Sequence, residues 1–300
     1  MWKKLGQVCD GPQDCGWAVT HAALPVADIK GNIALVYFSG RDAAGRSSIG
    51  VGELELSGPA PRMTINPSPV LTSGALGAFD DSGVTSSCLV RSGNRTYLYY
   101  TGWTRGVTVP FYLYVGLAIS EDGEHFSRAS PAPILERNAV DPYLTASPWV
   151  LIENGVWRMW YVSAAKWTLE AGRPKHYYHI RYAESADGVE WRRAGTVCID
   201  FATANEHAFG RPCVLKDGEG YRMWYSFRGE RYRIGYAESD DGIVWRRRDD
   251  CAGIEPSAAG WDAEMIEYPA VFDAGGRRYM LYNGNDYGRT GIGLAVLESA

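Results

Sequence analysis

The chain has 300 residues, 46% hydrophobic and 22% charged, with a formal net charge of −5. That composition suits a globular protein with a sizeable core, and with no long basic run it lacks the electrostatic footprint of a nucleic-acid binder. No apolar run approaches the ~20 residues needed to span a bilayer, and Met1 to Asp10 has no apolar signal-peptide core, so the reading is a cytoplasmic protein without membrane work.

Taken in order, the chain repeats itself. Short alternating apolar and aromatic runs, broken by Gly, Asp, Asn and Pro, read as strands, and helical periodicity is hard to find. A second strand of each repeat is tracked by its last tyrosine: Tyr37, Tyr100, Tyr161, Tyr225 and Tyr282. A first strand precedes each, at Leu24-Pro25-Val26, Cys88-Leu89-Val90, Pro148-Trp149-Val150, Pro212-Cys213-Val214 and Pro269-Ala270-Val271. A third follows, at Ile49 to Glu53, Val115 to Ser120, Ile180 to Ser185, Ile234 to Ser239 and Ile292 to Val296. In the middle three repeats an Asp-Gly hairpin signal comes next (Asp122-Gly123, Asp187-Gly188, Asp241-Gly242). An aromatic then opens a fourth strand at Phe126, Trp191 and Trp245. Self-similarity with four strands per unit and five units predicts an all-β, five-bladed β-propeller of four antiparallel strands per blade, one domain over 1–300.

The fifth unit ends at Ala300 with no fourth strand of its own. The N-terminal Trp2-Lys3-Lys4-Leu5-Gly6-Gln7-Val8-Cys9 matches the fourth strand of unit three, Trp191-Arg192-Arg193-Ala194-Gly195-Thr196-Val197-Cys198, in pattern. Residues 2–9 are therefore expected to close the last blade. The six cysteines, Cys9, Cys15, Cys88, Cys198, Cys213 and Cys251, read as reduced structural thiols, since Cys88 and Cys213 sit in apolar runs and no spacing gives a trustworthy zinc pattern.

Antiparallel strands put the entry of each first strand and the exit of each second strand on one face. Loops there are the place to look for a site, and residues that do not repeat between units are the better candidates. Asp81, Glu206 and Glu267 are expected as acid/base residues, because carboxylates brought together shift one another's pKa apart and glycosidases use such a pair. His21, Arg41, Asp42, Trp103, Asp141, Lys166, His207, Arg211, Arg228, Glu264, Tyr268, Asn283 and Asn285 are expected to hold the ligand. Arg211 should need a carboxylate partner or an anionic ligand. With Arg41, Lys166 and Arg228 it suggests an acidic sugar, a phosphate or a carboxylate. His176-Tyr177-Tyr178-His179 reads as a loop-to-strand segment, and no metal ligand set is assigned. No cofactor is expected, with calcium on the axis left open.

The strings Tyr182-Ala183-Glu184-Ser185-Ala186-Asp187-Gly188-Val189-Glu190-Trp191 and their counterparts resemble the five-bladed propeller glycosidases, the arabinanase, xylosidase, invertase, levansucrase and mannoside phosphorylase families. The resemblance spans all five units and implies the fold and a carbohydrate-active, glycoside-hydrolase-like function at an axial pocket. It also implies catalytic acids at first-strand entries, often Asp-Pro in the first blade and Glu-Gly-Pro in a later one. Here Ala23-Leu24-Pro25 and Phe209-Gly210-Arg211-Pro212 stand in those places, while Asp141-Pro142 lies six residues before Pro148. The triad is thus not carried over residue by residue. The protein also resembles single-domain members associated with bacterial surface-polysaccharide biosynthesis, which implies an activated sugar as ligand. The alternatives are a transferase, lyase or cyclase acting on a nucleotide sugar or small metabolite, or a non-catalytic glycan-binding propeller.

Overall fold

The computed structural model describes residues 1–13, 15–58 and 61–298. Ser299 and Ala300, where the fifth unit ends, lie outside the described residues. Strands dominate the regular structure of the chain. β1 (Trp2–Cys9) comes first, then β2 (Thr20–Lys30), β3 (Ile33–Arg41), β4 (Ser47–Glu55) and β5 (Met63–Ile65). The second unit is β6 (Gly83–Ser92), β7 (Arg95–Arg105), β8 (Phe111–Ser120) and β9 (Ser127–Arg128). The third is β10 (Thr145–Glu153), β11 (Val156–Glu170), β12 (Arg173–Ser185) and β13 (Val197–Ile199). The fourth is β14 (Ala208–Asp217), β15 (Gly220–Arg228), β16 (Tyr232–Ser239) and β17 (Arg246–Arg247). The last is β18 (Glu267–Ala274), β19 (Arg277–Asn283) and β20 (Ile292–Leu297).

Within each unit the strands pair antiparallel in sequence order, and β1 pairs antiparallel with β20, Trp2 opposite Leu297 and Cys9 opposite Ile292. The first strands neighbour one another in a cycle: β2 with β6, β6 with β10, β10 with β14, β14 with β18, and β18 with β2. No described helix is long and apolar enough to cross a membrane.

The Asp-Gly turns show why the repeat is written as it is. Gly123, Gly188 and Gly242 have φ of 79°, 78° and 77°, a conformation that costs glycine little. Each turn is also held by the preceding unit. The Tyr37 hydroxyl donates to the Gly123 carbonyl, Tyr99 to Gly188, and the Trp160 indole to Gly242. This register corrects one sequence equivalence. Tyr37 stands opposite Val51 and plays the part of Tyr99 and Trp160. The true counterpart of Tyr100, Tyr225 and Tyr282 is Phe38, since all four face a glycine of the third strand (Gly116, Gly235, Gly293 and Gly50).

Every first strand carries a register break near its entry, between Ala23 and Val26, Ser86 and Cys88, Ala146 and Trp149, Gly210 and Cys213, and Glu267 and Ala270. At four of them a residue before proline, Leu24, Ser147, Arg211 or Tyr268, takes φ between 46° and 55°. Positive φ is costly for any side chain, and proline narrows the choices further. A side chain from the preceding unit fixes most of these bulges by accepting a backbone N–H. Asn283 accepts from Leu24 at 2.8 Å, Ser39 from Ser86 at 2.9 Å, Thr101 from Ser147 at 2.8 Å, and Ser226 from Tyr268 at 2.7 Å. Bulges of this kind re-aim side chains, here at the face where the cycle of first strands opens.

Candidate functional site

Several carboxylates at this face are already spent on bonds within their own units. In four units the second-strand tyrosine donates to a carboxylate that also binds a cation. Tyr100 meets Asp80 with Arg128, Tyr161 meets Asp141 with Arg181 and Arg193, Tyr225 meets Asp249 with Arg247, and Tyr282 meets Asp262 with Lys4. Unit one has Phe38 at this position, packed against Trp17 at 5.3 Å, and no hydroxyl to latch.

Among the residues expected to act, Asp141 is one of these latches. It is fully buried and also accepts from Ser163 at 2.7 Å. Glu206 joins the fourth latch through two 2.8 Å bonds from Arg247 and one from the Ala202 N–H. Burial alone would raise its pKa, yet Arg247 and the Ala202 amide hold it below the usual carboxylate value. Asp81 caps a local turn, accepting from the Gly77 N–H and the Ser82 hydroxyl. Asp42 does the same for Ala44 and Arg46. Glu264 is exposed and paired with Arg231 at 2.7 Å. Asn283 spends its oxygen on Leu24 and its amide on the Ala22 and Gly291 carbonyls. Asn285 binds Glu264 and Met265 N–H groups and the Gly260 carbonyl. Trp103 donates to Ser47, and Lys166 is exposed over the Tyr177 ring.

Arg211 lies at the centre of the cycle. It is fully buried on β14, yet its guanidinium donates to the Ser86, Leu24 and Pro25 carbonyls of units two and one. No carboxylate pairs with it among the described residues, so carbonyl dipoles take the place of the expected acid. Burial lowers its pKa to about 10, which leaves it charged at neutral pH. Its Nε has no partner. The arginine thus bridges units four, two and one.

Glu267 is the exception among the acids. It is fully buried at the bulge of β18, and among the described residues neither carboxyl oxygen has a partner at hydrogen-bonding geometry. Burial drives its pKa well above the usual value, and nearby Arg228, the Tyr268 hydroxyl and the Tyr287 amide offset that only in part. A carboxyl in this state is a proton donor in waiting. The unpartnered Nε of Arg228 and hydroxyl of Tyr178 lie in the same neighbourhood. Arg228 sits over the rings of Tyr232 and Tyr287, 5.5 and 5.9 Å from their centroids, and donates to the Tyr287 hydroxyl at 2.7 Å. An orphaned buried polar group costs ~1–3 kcal/mol, so a cluster of them calls for a functional explanation.

A cavity of about 80 Å³ is lined by His21, Leu24, Arg41, Tyr287 and Tyr268, the chain neighbour of Glu267, among others; Glu267 itself lies behind this wall. Four of the nine described non-glycine residues with positive φ line it: His21, Leu24, Tyr268 and Tyr287. Strain of ~1–3 kcal/mol per residue is typical of functional sites. Burial, then Arg41, lowers the His21 pKa to about 4, so the ring is neutral at pH 7. His207 is lowered too, by burial, and His176, stacked on Tyr178 at 4.1 Å, falls to about 3. Trp167 packs on His176 and Phe111. Beyond Tyr287 lies a larger cleft of about 620 Å³. Among the described residues no group of three or more His, Cys, Asp or Glu could hold a metal ion. The face thus brings together Glu267, Tyr268, Arg228, Arg41 and His21 from the expected set. It adds Tyr232, Asp286 and Tyr287, for which Asn285-Asp286-Tyr287-Gly288, with two non-glycine residues at positive φ, was the available signal.

No protein-family model matches the sequence. Two Mycobacterium tuberculosis proteins do. The uncharacterized protein MT1551 of strain CDC 1551 / Oshkosh is 46% identical over 299 residues, covering 99% of each protein. The uncharacterized protein Rv1502 of strain ATCC 25618 / H37Rv is 45% identical over the same length and coverage. Among solved structures, BT0996 in its RGII complex aligns with a TM-score of 0.78 at 19% identity, over 99% of this protein and 91% of that one. A thermostable family-43 glycoside hydrolase aligns at 0.70 and 16%, over 96% and 93%. A structure from the GH130 family of mannoside phosphorylases, with glycoside hydrolases that target β-1,2 mannosidic linkages in Candida mannan, aligns at 0.73 and 14%, over 99% and 94%. At such identities the likeness is one of fold. The protein belongs to one family with MT1551 and Rv1502, and that family has the glycoside-hydrolase-like propeller fold.

Proposed function

We propose that the protein is a single five-bladed β-propeller, closed by residues 2–9 on the last blade, and that it is a carbohydrate-active enzyme with Glu267 as general acid. Support for the ring comes from the cycle of first strands and the β1–β20 pairing. Support for a sugar substrate comes from the company the fold keeps, an argument from analogy. The observation that carries the chemistry is Glu267 itself, buried with both oxygens unpartnered among the described residues, next in the chain to Tyr268 of a strained, aromatic-walled cavity.

In this reading Glu267 gives its proton to the oxygen leaving the anomeric carbon. The C–O bond breaks, positive charge grows on the sugar ring, and water or another acceptor completes the exchange while losing a proton. Asp286, exposed at the mouth and 3.6 Å from Arg289, is near enough to raise the Glu267 pKa further, and it is the carboxylate that faces the developing charge. Tyr268 and Tyr287 wall the ring, and Arg228 is oriented by Tyr287.

Glu267→Gln tests this. Turnover of a panel of aryl and alkyl glycosides and glycosyl phosphates should fall by about 10²–10⁴-fold, most for poor leaving groups, which need the proton most. Binding and folding should be kept. A variant as active as the wild type overturns the assignment, and a wild type that binds sugars without turning any over points to the binding-module reading.

A further inference from the structure

The two cavities that meet at Tyr287 differ in charge. The outer one balances Arg228, Arg231 and Arg289 against Glu230, Glu264 and Asp286, with Arg231 and Arg289 paired to acids. The inner one has Arg41 in its wall and no carboxylate. From this lining, which has a cation and no carboxylate, we propose that the inner cavity is a subsite for an anionic substituent, a carboxylate or a phosphate, carried by the sugar substrate, with Arg41 as its counter-ion. This rests on the reading that the Glu267 mouth is the reactive site.

The donors are unspent. The Arg41 side chain makes no hydrogen bond and no ion pair among the described residues, although an exposed arginine alone would mean little. What surrounds it gives it weight. Ser47 accepts from the Trp103 indole at 2.8 Å, which leaves its own hydrogen free to point into the cavity. Thr85 reaches a carbonyl only at 3.5 Å, the limit of a useful bond. His21 is neutral and contacts the Thr20 hydroxyl through Nδ1 at 2.9 Å, so with that nitrogen accepting, Nε2–H is the free donor. The charged groups that reach His21 are Arg41 and Arg289 on one side and Asp286 on the other. Burial raises the Glu267 pKa, which disfavours its charged form. A volume of about 80 Å³ equals roughly two or three waters. That admits a carboxylate or phosphate group, with the pyranose ring it is attached to placed against Tyr268 and Tyr287, toward the larger cleft.

Calorimetric titration of wild type, Arg41→Met, Arg41→Lys and Glu267→Gln with D-glucuronate, α-D-glucose 1-phosphate, inorganic phosphate and D-glucose tests the subsite. The wild type should prefer at least one acidic sugar over D-glucose by about tenfold or more, a factor set by charge-assisted bonds. Arg41→Met should erase that preference, with an unchanged melting temperature because Arg41 holds no partner, and Arg41→Lys should restore part of it. Glucuronate against glucose 1-phosphate tells carboxylate from phosphate. Equal binding of acidic and neutral sugars, no binding of any anion, or a preference surviving in Arg41→Met overturns the subsite. So does inorganic phosphate binding as tightly as the sugar phosphate, which would mean free phosphate is the ligand. Glu267→Gln should keep the preference while losing turnover. Retained turnover in it would overturn the general acid and leave the subsite standing.

Discussion

Asp141 and Glu267 are both fully buried acids near the entry of a first strand, in units three and five. Asp141 is met by the Tyr161 and Ser163 hydroxyls and by two arginines at 3.1 Å. Glu267 has no partner at bonding geometry among the described residues, with Arg228, the Tyr268 hydroxyl and the Tyr287 amide only nearby. Burying an unpaired charge is expensive, and a lone carboxyl escapes the cost by staying protonated. The two residues therefore occupy opposite ends of one physical choice. Partners make a buried acid a strut, and their absence makes it a reagent.

The largest expected effect breaks the strut. Asp141→Ala leaves Arg181 and Arg193 without their buried counter-charge and should cost about 3–5 kcal/mol of folding stability, as removal of one partner of a buried ion pair does. Denaturant midpoints measure it. Glu267→Ala has no ion pair to lose, so its cost should be that of a small cavity alone, and Glu267→Gln should be neutral or stabilising. If the two glutamate variants lose as much as Asp141→Ala, Glu267 has partners in solution and the contrast fails.

This difference was not readable from the sequence, although the architecture was. The Asp-Gly turns, the third strands and the match of residues 2–9 to a fourth strand are local patterns with period two, and such patterns survive in sequence. The latches do not. Asp80 and Asp141 precede a first strand, Asp249 follows a fourth, and Asp262 takes its cation from Lys4 at the other end of the chain. One job in space is done from several places in sequence, so Asp141 and Glu206 look unrepeated and draw a functional reading. Asn283 misleads in the same way, because it does for Leu24 what Ser39, Thr101 and Ser226 do in other units with a different side chain. Tyr37 and Phe38 are adjacent aromatics, and only strand register tells which one repeats.

A second way to sharpen the contrast is pH. The Glu267 pKa is higher in the folded state than in the unfolded protein, where glutamate titrates near ~4.3. Its contribution to stability is then complete below that value and is lost as pH rises through the folded pKa, with a slope of at most ~1.4 kcal/mol per pH unit. Glu206 runs the other way. Its folded pKa is lowered, so its contribution is present above the unfolded value and is lost as pH falls. Subtracting the stability–pH curve of each Gln variant from the wild type should therefore give a decline toward alkaline pH for Glu267 and a decline toward acid for Glu206. Two curves of the same sign would place both acids in one class.

The smallest effect concerns what surrounds the bare acid. Tyr287 sits at φ 58° and ψ 36°, in the left-handed region that a bulky residue seldom occupies. Its hydroxyl takes a 2.7 Å bond from Arg228, whose guanidinium already lies over two rings and whose Nε has no partner. Tyr287→Phe keeps the ring, the backbone strain and the cavity wall, and removes only that bond. A hydrogen bond to a charged group contributes about 1.5–3 kcal/mol at most, and Arg228 can recover part of it from water at the open cleft. The expected result is a loss of about threefold to tenfold in kcat/KM with an unchanged melting temperature, and a larger share of it in kcat if Arg228 also meets the reacting sugar. A Tyr287→Phe enzyme that loses stability instead would make the Arg228–Tyr287 bond a structural tie, and would put the pair with Asp141 rather than with Glu267.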